Sequence, residues 1–154
     1  MRGNPDIIKT LNELLAEELT AINQYMVHSE MCHNWGYERL HKAIEKQALD
    51  EMHHAEWLIE RILFLEGTPS VSKLNAMQIG KSAEEIVARD HDAELRAVKG
   101  YNDAIRQAVE VGDNGTRELF DKVLKDEESH ADWGEEQQDQ IGQMGLQNYL
   151  AKQV

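Results

Sequence analysis

Apolar residues recur in steps of three and four along four separate segments of the chain, which is the spacing of an α-helix with one buried face. These segments cover residues 8–32, 40–65, 87–111 and 120–141. A shorter segment, 146–154, follows two glycines and predicts a small terminal helix. The pattern therefore predicts four long amphipathic helices followed by a short one.

Residues suited to caps and turns mark the helix boundaries. Asn4 precedes Pro5, and an asparagine cap followed by proline at the first helical position is a favoured helix start. The run from Ser82 to Glu85 has the form of a capping box with Ser82 as the cap, which predicts the start of the third helix. Tight turns are predicted around Gly36 and at 112–115.

The lengths of the connections predict the topology. Short turns make helices 1 and 2 antiparallel, and likewise helices 3 and 4. The connection 66–81 has sixteen residues, and at ~3.3 Å per residue it can extend about 50 Å, longer than a helix of about 40 Å. It can cross the whole bundle, which makes helices 2 and 3 parallel. The fold class is all-α, a ferritin-like four-helix bundle with a long crossover between helices 2 and 3, and we expect a single domain over residues 1–154.

Composition and charge restrict the function. The formal net charge of −13 argues against a nucleic-acid partner, because phosphate contacts need clustered Lys and Arg. Cys32 is the single cysteine and cannot form an internal disulfide. The N-terminal residues lack the apolar core of a signal peptide, and no run approaches the ~18 apolar residues of a membrane span. We therefore expect a cytoplasmic protein with no membrane partner.

Carboxylates interrupt all four apolar stripes at mid-length. They belong to Glu18, Glu51, Glu94 and Glu127. His54 follows Glu51 and His130 follows Glu127 at i+3, so each pair shares one helix face. Burying four facing carboxylates is unfavourable unless protons or cations neutralise them. Two divalent metals would do so with the histidines as further ligands, which is the pattern of carboxylate-bridged di-iron bundles.

An internal repeat supports this set of six residues. Glu51 follows Glu18 by 33 positions, and Glu127 follows Glu94 by the same number. A shift of 76 positions takes the first pair onto the second and also takes His54 onto His130. Two hairpins related in this way would bring six ligands together around a pseudo-twofold centre.

The Glu-x-x-His spacing alone is not specific. It also occurs at Glu30-x-x-His33 and Glu38-x-x-His41, beside the first interhelical turn. Neither glutamate lies on the apolar face of its helix, so we interpret these residues as surface residues.

The ligand types favour iron or manganese, because the set contains carboxylates and imidazoles but no thiolate. We expect two Fe(II) ions to bind there and to be oxidised by O2 or H2O2. The shift of 76 also takes Tyr25 onto Tyr101, a few turns from the glutamates. Buried tyrosines usually complete a core, and we favour that role for both over hydrogen bonding to the centre or electron donation.

Longer runs of the chain resemble bacterioferritins over nearly its full length. They are Leu19-Thr20-Ala21-Ile22-Asn23-Gln24-Tyr25, Asp50-Glu51-Met52-x-His54-Ala55-Glu56, Glu127-Glu128-x-His130-x-Asp132-Trp133, and the segments 59–67 and 145–150. The resemblance implies that the same six residues are the ligands of a di-iron ferroxidase centre. It also implies a hollow homo-oligomeric shell of twenty-four subunits, built from dimers, that stores ferric mineral. A bacterioferritin-associated ferredoxin is the reductant that the family suggests for iron release.

The resemblance further implies a b-type haem at each subunit dimer, held by Met52 of both partners. Met52 lies next to the metal-ligand face rather than on it, so it can face a neighbouring chain, and a twofold dimer supplies the same residue twice. The residues that would line the haem slot are Leu19, Ile22, Asn23 and Met26.

Two positions depart from the family pattern. Lys46 stands where many relatives carry a histidine that helps to bind iron on the inner wall of the shell, although the neighbouring Asp50 is retained. Glu45 stands where an aromatic residue is common, close to the expected haem. These departures leave open whether an inner-wall iron site exists and how the haem environment is shaped, and they do not touch the six ligands.

Two other functions remain open at this point. A di-iron peroxidase or oxygen-reducing protein without a shell would be a dimer with no iron core. A haem-binding electron-transfer bundle would use the carboxylates only structurally, and Glu18→Ala or Glu127→Ala would leave its iron oxidation unchanged. The chain has no Cys-x-x-Cys pair, which argues against an appended rubredoxin-like domain.

Overall fold

The computed structural model describes residues 1–154 and contains five α-helices and no strand. The helices are α1 (Pro5–Asn34), α2 (Glu38–Phe64), α3 (Ala83–Glu110), α4 (Asn114–Met144) and α5 (Leu146–Ala151). None of them combines the length and apolar character that crossing a membrane requires. The all-α prediction of four long helices and a short C-terminal one is confirmed.

The helix starts follow the predicted caps. The side chain of Asn4 accepts hydrogen bonds from the backbone N–H groups of Asp6 and Ile7, and Pro5 begins α1. Ser82 Oγ accepts from Glu85 N at 3.2 Å, as in a capping box. In a capping box the glutamate side chain also accepts from the backbone N–H of the cap residue. Here Glu85 Oε2 accepts from Lys81 N instead of Ser82 N. The predicted turn at Gly36 has φ +83°, a conformation that glycine adopts without strain.

The helices pack as two antiparallel hairpins, α1 with α2 and α3 with α4, and the hairpins meet through α1–α3 and α2–α4 contacts. The connection 65–82 contains no helix and runs the length of the bundle, so α2 and α3 are parallel. The predicted ferritin-like topology with a long crossover is therefore confirmed. The short α5 packs against α4, where the Tyr149 hydroxyl donates to Gln137 Oε1 at 2.8 Å.

Two apolar clusters fill the bundle interior on either side of its middle. One contains Leu11, Leu58 and Phe120, and the other contains Ile44 and Val87. The four mid-helix glutamates lie between these clusters in the helix sequences, and all four are buried. The apolar ends therefore hold the polar middle away from water and fix the helices around it.

The crossover is held along α1 by side chains rather than by an apolar face. Three polar residues spaced four apart on α1 each accept a hydrogen bond from a backbone N–H of the crossover. The bonds run from Asn75 N to Thr20 Oγ1 (2.8 Å), from Gln78 N to Gln24 Oε1 (3.0 Å) and from Gly80 N to His28 Nε2 (2.9 Å). Because these acceptors are buried, they satisfy backbone groups that an extended segment otherwise leaves unpaired.

His28 connects the crossover to α3 as well. Its Nε2 accepts from Gly80, so its Nδ1 carries the hydrogen and donates to Asp90 Oδ1 at 2.7 Å. Gln24 Nε2 donates to the same oxygen at 2.9 Å. A fully buried histidine therefore links α1, α3 and the crossover.

We predict that His28→Ala lowers the free energy of unfolding by about 2–5 kcal/mol, because it leaves a buried backbone N–H without a partner and removes one of the two hydrogen bonds to the buried Asp90 carboxylate. Chemical denaturation followed by circular dichroism measures the change. The control is His53→Ala, at an exposed position on α2. Equal stability of the two variants would show that the His28 bonds do not hold the crossover.

Candidate metal centre

The six predicted ligands meet in the middle of the bundle, and every one of them is buried. They are Glu18 from α1, Glu51 and His54 from α2, Glu94 from α3, and Glu127 and His130 from α4. Their ligand atoms form two groups, each with atoms lying within 4.8 Å of one another. Glu18 and His54 belong to one group, Glu94 and His130 belong to the other, and both groups contain Glu51 and Glu127.

Each of the six side chains has one buried polar atom without a hydrogen-bond partner. These atoms are Glu18 Oε2, Glu51 Oε1, His54 Nδ1, Glu94 Oε2, Glu127 Oε1 and His130 Nδ1. A buried polar atom without a partner is unfavourable, and six such atoms around one point are not explained by packing. Carboxylate oxygens and imidazole nitrogens are suitable donors for divalent iron, manganese or zinc, so these residues fit a pair of metal ions.

The imidazoles lie between the carboxylates rather than beside a single one. His54 Nδ1 is 3.2 Å from Glu127 Oε1 and 3.5 Å from Glu18 Oε2. His130 Nδ1 is 3.1 Å from Glu51 Oε1 and 3.4 Å from Glu94 Oε1. Each histidine therefore faces a shared glutamate from the other helix of the α2–α4 pair. This arrangement matches two cations bridged by Glu51 and Glu127.

A further carboxylate contacts the outer ring nitrogen, Nε2, of each histidine. His54 Nε2 lies 2.8 Å from Asp126 Oδ2, and His130 Nε2 lies 3.0 Å from Asp50 Oδ2. A carboxylate that accepts the Nε2–H turns the lone pair of Nδ1 toward the centre, as outer carboxylates do in metal sites. From the sequence, Asp50 was identified only as a retained neighbour of Lys46, and Asp126 was missed. The shift of 76 positions that relates the two hairpins takes Asp50 onto Asp126 and was the signal that could have found it.

Both tyrosines are buried in the core and also bond to the glutamates. Tyr25 Oη donates to Glu94 Oε1 at 2.5 Å, and Tyr101 Oη donates to Glu18 Oε1 at 2.5 Å. Burial and the neighbouring glutamate charge raise the pKa of both phenols well above the usual value, so the hydroxyls keep their protons. The preference for a core-filling role was incomplete, because each tyrosine also positions the glutamate of the opposite hairpin.

Repulsion among the carboxylates keeps protons in the metal-free centre. Burial and the charges of Glu18 and its neighbours raise the pKa of Glu51 and of Glu127 well above the usual range. Burial alone would lower the pKa of His130, but the Glu94 carboxylate, with Oε1 at 3.4 Å from Nδ1, and the other surrounding carboxylates raise it to about 9. The same balance raises the pKa of His54, because its Nδ1 lies close to the Glu127 and Glu18 carboxylates. The metal-free centre therefore keeps its protons to a higher pH than free glutamate and histidine side chains do.

A cavity of about 410 Å³ leads to the centre between α1, α3 and the crossover. Glu18, Glu51 and Glu127 line it on the inside, and Asn75 and Gln78 of the crossover line it on the outside. Three of the six predicted ligands are therefore within reach of a solute that enters beneath the crossover.

The remaining predicted site residues lie on the outer side of the α1–α2 hairpin. Met26 is 52% exposed and Met52 is 40% exposed, while Leu19, Ile22 and Asn23 are half-buried. Residues 19, 22, 23 and 26 share one face of α1 because they are spaced by three, four and seven. These side chains are available to a partner on that surface.

The two departures from the family pattern have defined neighbours. Lys46 Nζ donates to Asp50 Oδ2 at 2.9 Å, the same oxygen that lies 3.0 Å from His130 Nε2. The Lys46 ammonium therefore lies against Asp50, at a position where the chain departs from the family pattern. Glu45 is exposed and points along α2 toward His41, with Oε2 at 3.8 Å from Nε2.

The other two Glu-x-x-His pairs lie outside the centre, at the turn between α1 and α2. Glu30 and His33 are exposed, while Glu38 and His41 are half-buried. The structure thus separates them from the buried set, as the apolar stripes predicted.

Comparison with known proteins gives consistent relatives. A family model described as a ferritin-like domain matches residues 8–144. A bacterioferritin of Brucella melitensis is 38% identical over 149 residues, covering 97% of this chain and 92% of the relative. A bacterial ferritin of Synechocystis sp. is 41% identical over 155 residues, covering 100% and 99%. The solved structure of Mycobacterium tuberculosis bacterioferritin BfrA superposes with a TM-score of 0.98 at 36% identity, covering 100% and 97%.

We predict that metal binding to this centre releases protons, because Glu51, Glu127 and both imidazoles must lose theirs to coordinate a cation. The release is greatest near neutral pH and declines as the pH rises through about 9, above which His130 is already neutral before the metal binds. Calorimetric titration of the metal-free protein with anaerobic Fe(II), in buffers of different ionisation enthalpy, measures the number of protons. Heats that do not depend on the buffer would contradict this protonation scheme.

Proposed function

The chain belongs to the bacterioferritin family of ferritin-like proteins, and from this premise we propose that it oxidises Fe(II) at the buried centre and stores the ferric product. The observation that carries the proposal is the pair of ligand groups that share Glu51 and Glu127, with one unpartnered atom on each of the six side chains. Structural carboxylates would be paired within the protein. A haem protein with only structural carboxylates is therefore disfavoured.

The proposed reaction takes one electron from each of two Fe(II) ions. One O2 accepts both electrons and two protons to give H2O2, or one H2O2 accepts them to give two waters. Glu51 and Glu127 belong to both ligand groups, so they would hold the two substrate ions at neighbouring positions. The carboxylates can coordinate through one or two oxygens, whereas His54 and His130 would each offer one nitrogen.

The surrounding residues of this chain keep the geometry constant during turnover. Asp126 and Asp50 fix the two imidazole rings, and Tyr101 and Tyr25 fix the two outer glutamates. The cavity beneath the crossover provides a path for Fe(II), since its walls include three of the ligand carboxylates. The net charge of −13 concentrates cations near the surface of the protein.

Storage requires an assembly, and we propose a homo-oligomeric shell of twenty-four subunits like that implied by the family. The test is aerobic addition of Fe(II) to the metal-free protein, with ferric absorbance followed in time and the product sized by sedimentation. A rapid phase that ends near two Fe(II) per chain, on a large particle that gains a mineral core, is the expected result. A dimer without a core would support a shell-less oxygen-reducing or peroxidase protein instead.

We predict that Glu18→Ala and Glu127→Ala each slow the rapid phase at least about a hundredfold, because even outer residues of a metal site are worth roughly 10–100-fold. Initial rates of ferric absorbance measure the effect. Glu128→Ala is the matched control, because Glu128 neighbours Glu127 on α4 but is exposed. Unchanged rates in the two ligand variants would refute oxidation at this centre.

We also propose that the outer face of α1 and α2 binds haem between two subunits, with Met52 of each as an axial ligand. The exposed thioethers of Met52 and Met26 support the proposal together with the half-buried Leu19 and Ile22, because several apolar side chains on one surface can form an interaction site. Bound haem would supply a one-electron carrier. Leu19 and Ile22 would contact its apolar rim, and Asn23 would offer a polar group at the edge.

We predict that Met52→Leu abolishes haem absorbance while the assembly and the rapid ferric phase persist, because leucine keeps the volume but lacks a coordinating sulfur. Absorbance spectra of haem-reconstituted protein and sedimentation of the same sample measure both properties. The parallel variant Met26→Leu should keep the axial ligation. Full haem binding by Met52→Leu would remove Met52 from the proposed site.

A further inference from the structure

The turn end of the α1–α2 hairpin gathers histidine and glutamate side chains that the buried centre does not use. Glu30 and His33 end α1, and Glu38, His41 and Glu45 begin α2. Ligand atoms of His33, Glu38 and His41 lie within 4.8 Å of one another, and so do those of Glu30, His41 and Glu45. Glu38 precedes Glu51 by thirteen positions, so this cluster is about 20 Å from the buried centre along α2.

His41 is held in the orientation of a metal-ligating histidine. Its Nδ1 lies 3.0 Å from both the hydroxyl and the backbone carbonyl oxygen of Ser29, and because the carbonyl can only accept, Nδ1 carries the hydrogen. The lone pair of the neutral ring is then on Nε2. A histidine that ligates a metal generally donates its other N–H to a carbonyl or carboxylate in this way. The side chain is only 13% exposed, so its direction is fixed by packing as well.

Nε2 of His41 has no hydrogen-bond partner at its open side. Glu45 Oε2 lies 3.8 Å from Nε2, which is beyond hydrogen-bond distance. The separation leaves room for a cation between the two atoms.

His33 supplies the second imidazole from the other helix. Its ring centroid is 4.7 Å from that of His41, and its Nδ1 is hydrogen-bonded to Glu38 Oε1. Two imidazoles this close repel each other if both are protonated, whereas a shared cation requires both to be neutral. A cation that takes the place of the hydrogen between His33 Nδ1 and Glu38 Oε1 would be held by both atoms.

We propose that His33, Glu38 and His41 form a surface site for a single divalent transition-metal ion, independent of the buried centre. Two imidazole nitrogens and one carboxylate favour ions such as Zn²⁺, Co²⁺, Ni²⁺ or Cu²⁺, while Ca²⁺ and Mg²⁺ prefer oxygen ligands throughout. Three protein ligands leave coordination positions for water or for Glu30 and Glu45. The site is open to solvent, because His33 and Glu38 are each about half exposed.

The test uses Zn²⁺ as the probe on the assembled, metal-free protein. Equilibrium dialysis should show one more zinc per chain in the native protein than in His33→Gln or His41→Gln. If the variants still bind that last zinc ion, their affinity for it should be weaker by at least about tenfold. The control is His53→Gln, an exposed histidine of α2 that belongs to neither ligand group. Circular dichroism of each variant confirms that the helices are retained.

Anomalous scattering from zinc-soaked crystals locates the additional ion. A peak between the His33 and His41 rings, absent from the His41→Gln protein, is the expected result. Zinc found only among the six buried residues, or equal stoichiometry in all variants, would overturn the proposal. Zinc that reaches the turn only at millimolar concentration, as an adventitious ion, would overturn it as well.

Discussion

Mutual repulsion of buried carboxylates is the constraint on which the rest of this structure depends. Glu18, Glu51, Glu94 and Glu127 converge between two apolar clusters, where water cannot screen their charges. Protons or cations must neutralise them, and the raised pKa values of Glu51 and Glu127 express this requirement in the metal-free protein. A site that needs positive charge and presents six unpartnered atoms is suited to exchange protons for metal ions.

The support around the ligands repeats the twofold relation of the ligands themselves. Asp50 and Asp126 hold one histidine each, and in both cases the histidine comes from the other helix of the α2–α4 pair. The tyrosines cross between α1 and α3 in the same way. Movement of one hairpin against the other would therefore disturb four hydrogen bonds to the ligands. The centre and the packing of the two hairpins stabilise each other.

The polar residues outside the ligand set have two different uses. Along α1, Thr20, Gln24 and His28 bind the backbone of the crossover, which closes the bundle beside the cavity. At the turn, His33 and His41 are brought together by the reversal at Gly36. The polar side chains on α1 are buried, and their hydrogen bonds stabilise the fold. The histidines at the turn are closer to solvent, and they form a candidate metal site.

The sequence by itself determined the helices, their topology and the six converging side chains, because helical periodicity and connection length act locally and the 33-residue repeat fixes the register. The role of Asp126, the tyrosine bonds to the glutamates and the burial of His28 were decided only by the tertiary structure. Each depends on which atom of a side chain meets a partner from a distant segment. The spacing of residues along one helix predicts which face of the helix each residue occupies. The neighbour on that face, and thus the hydrogen bond or the open coordination position, is set by how the two hairpins and the crossover pack.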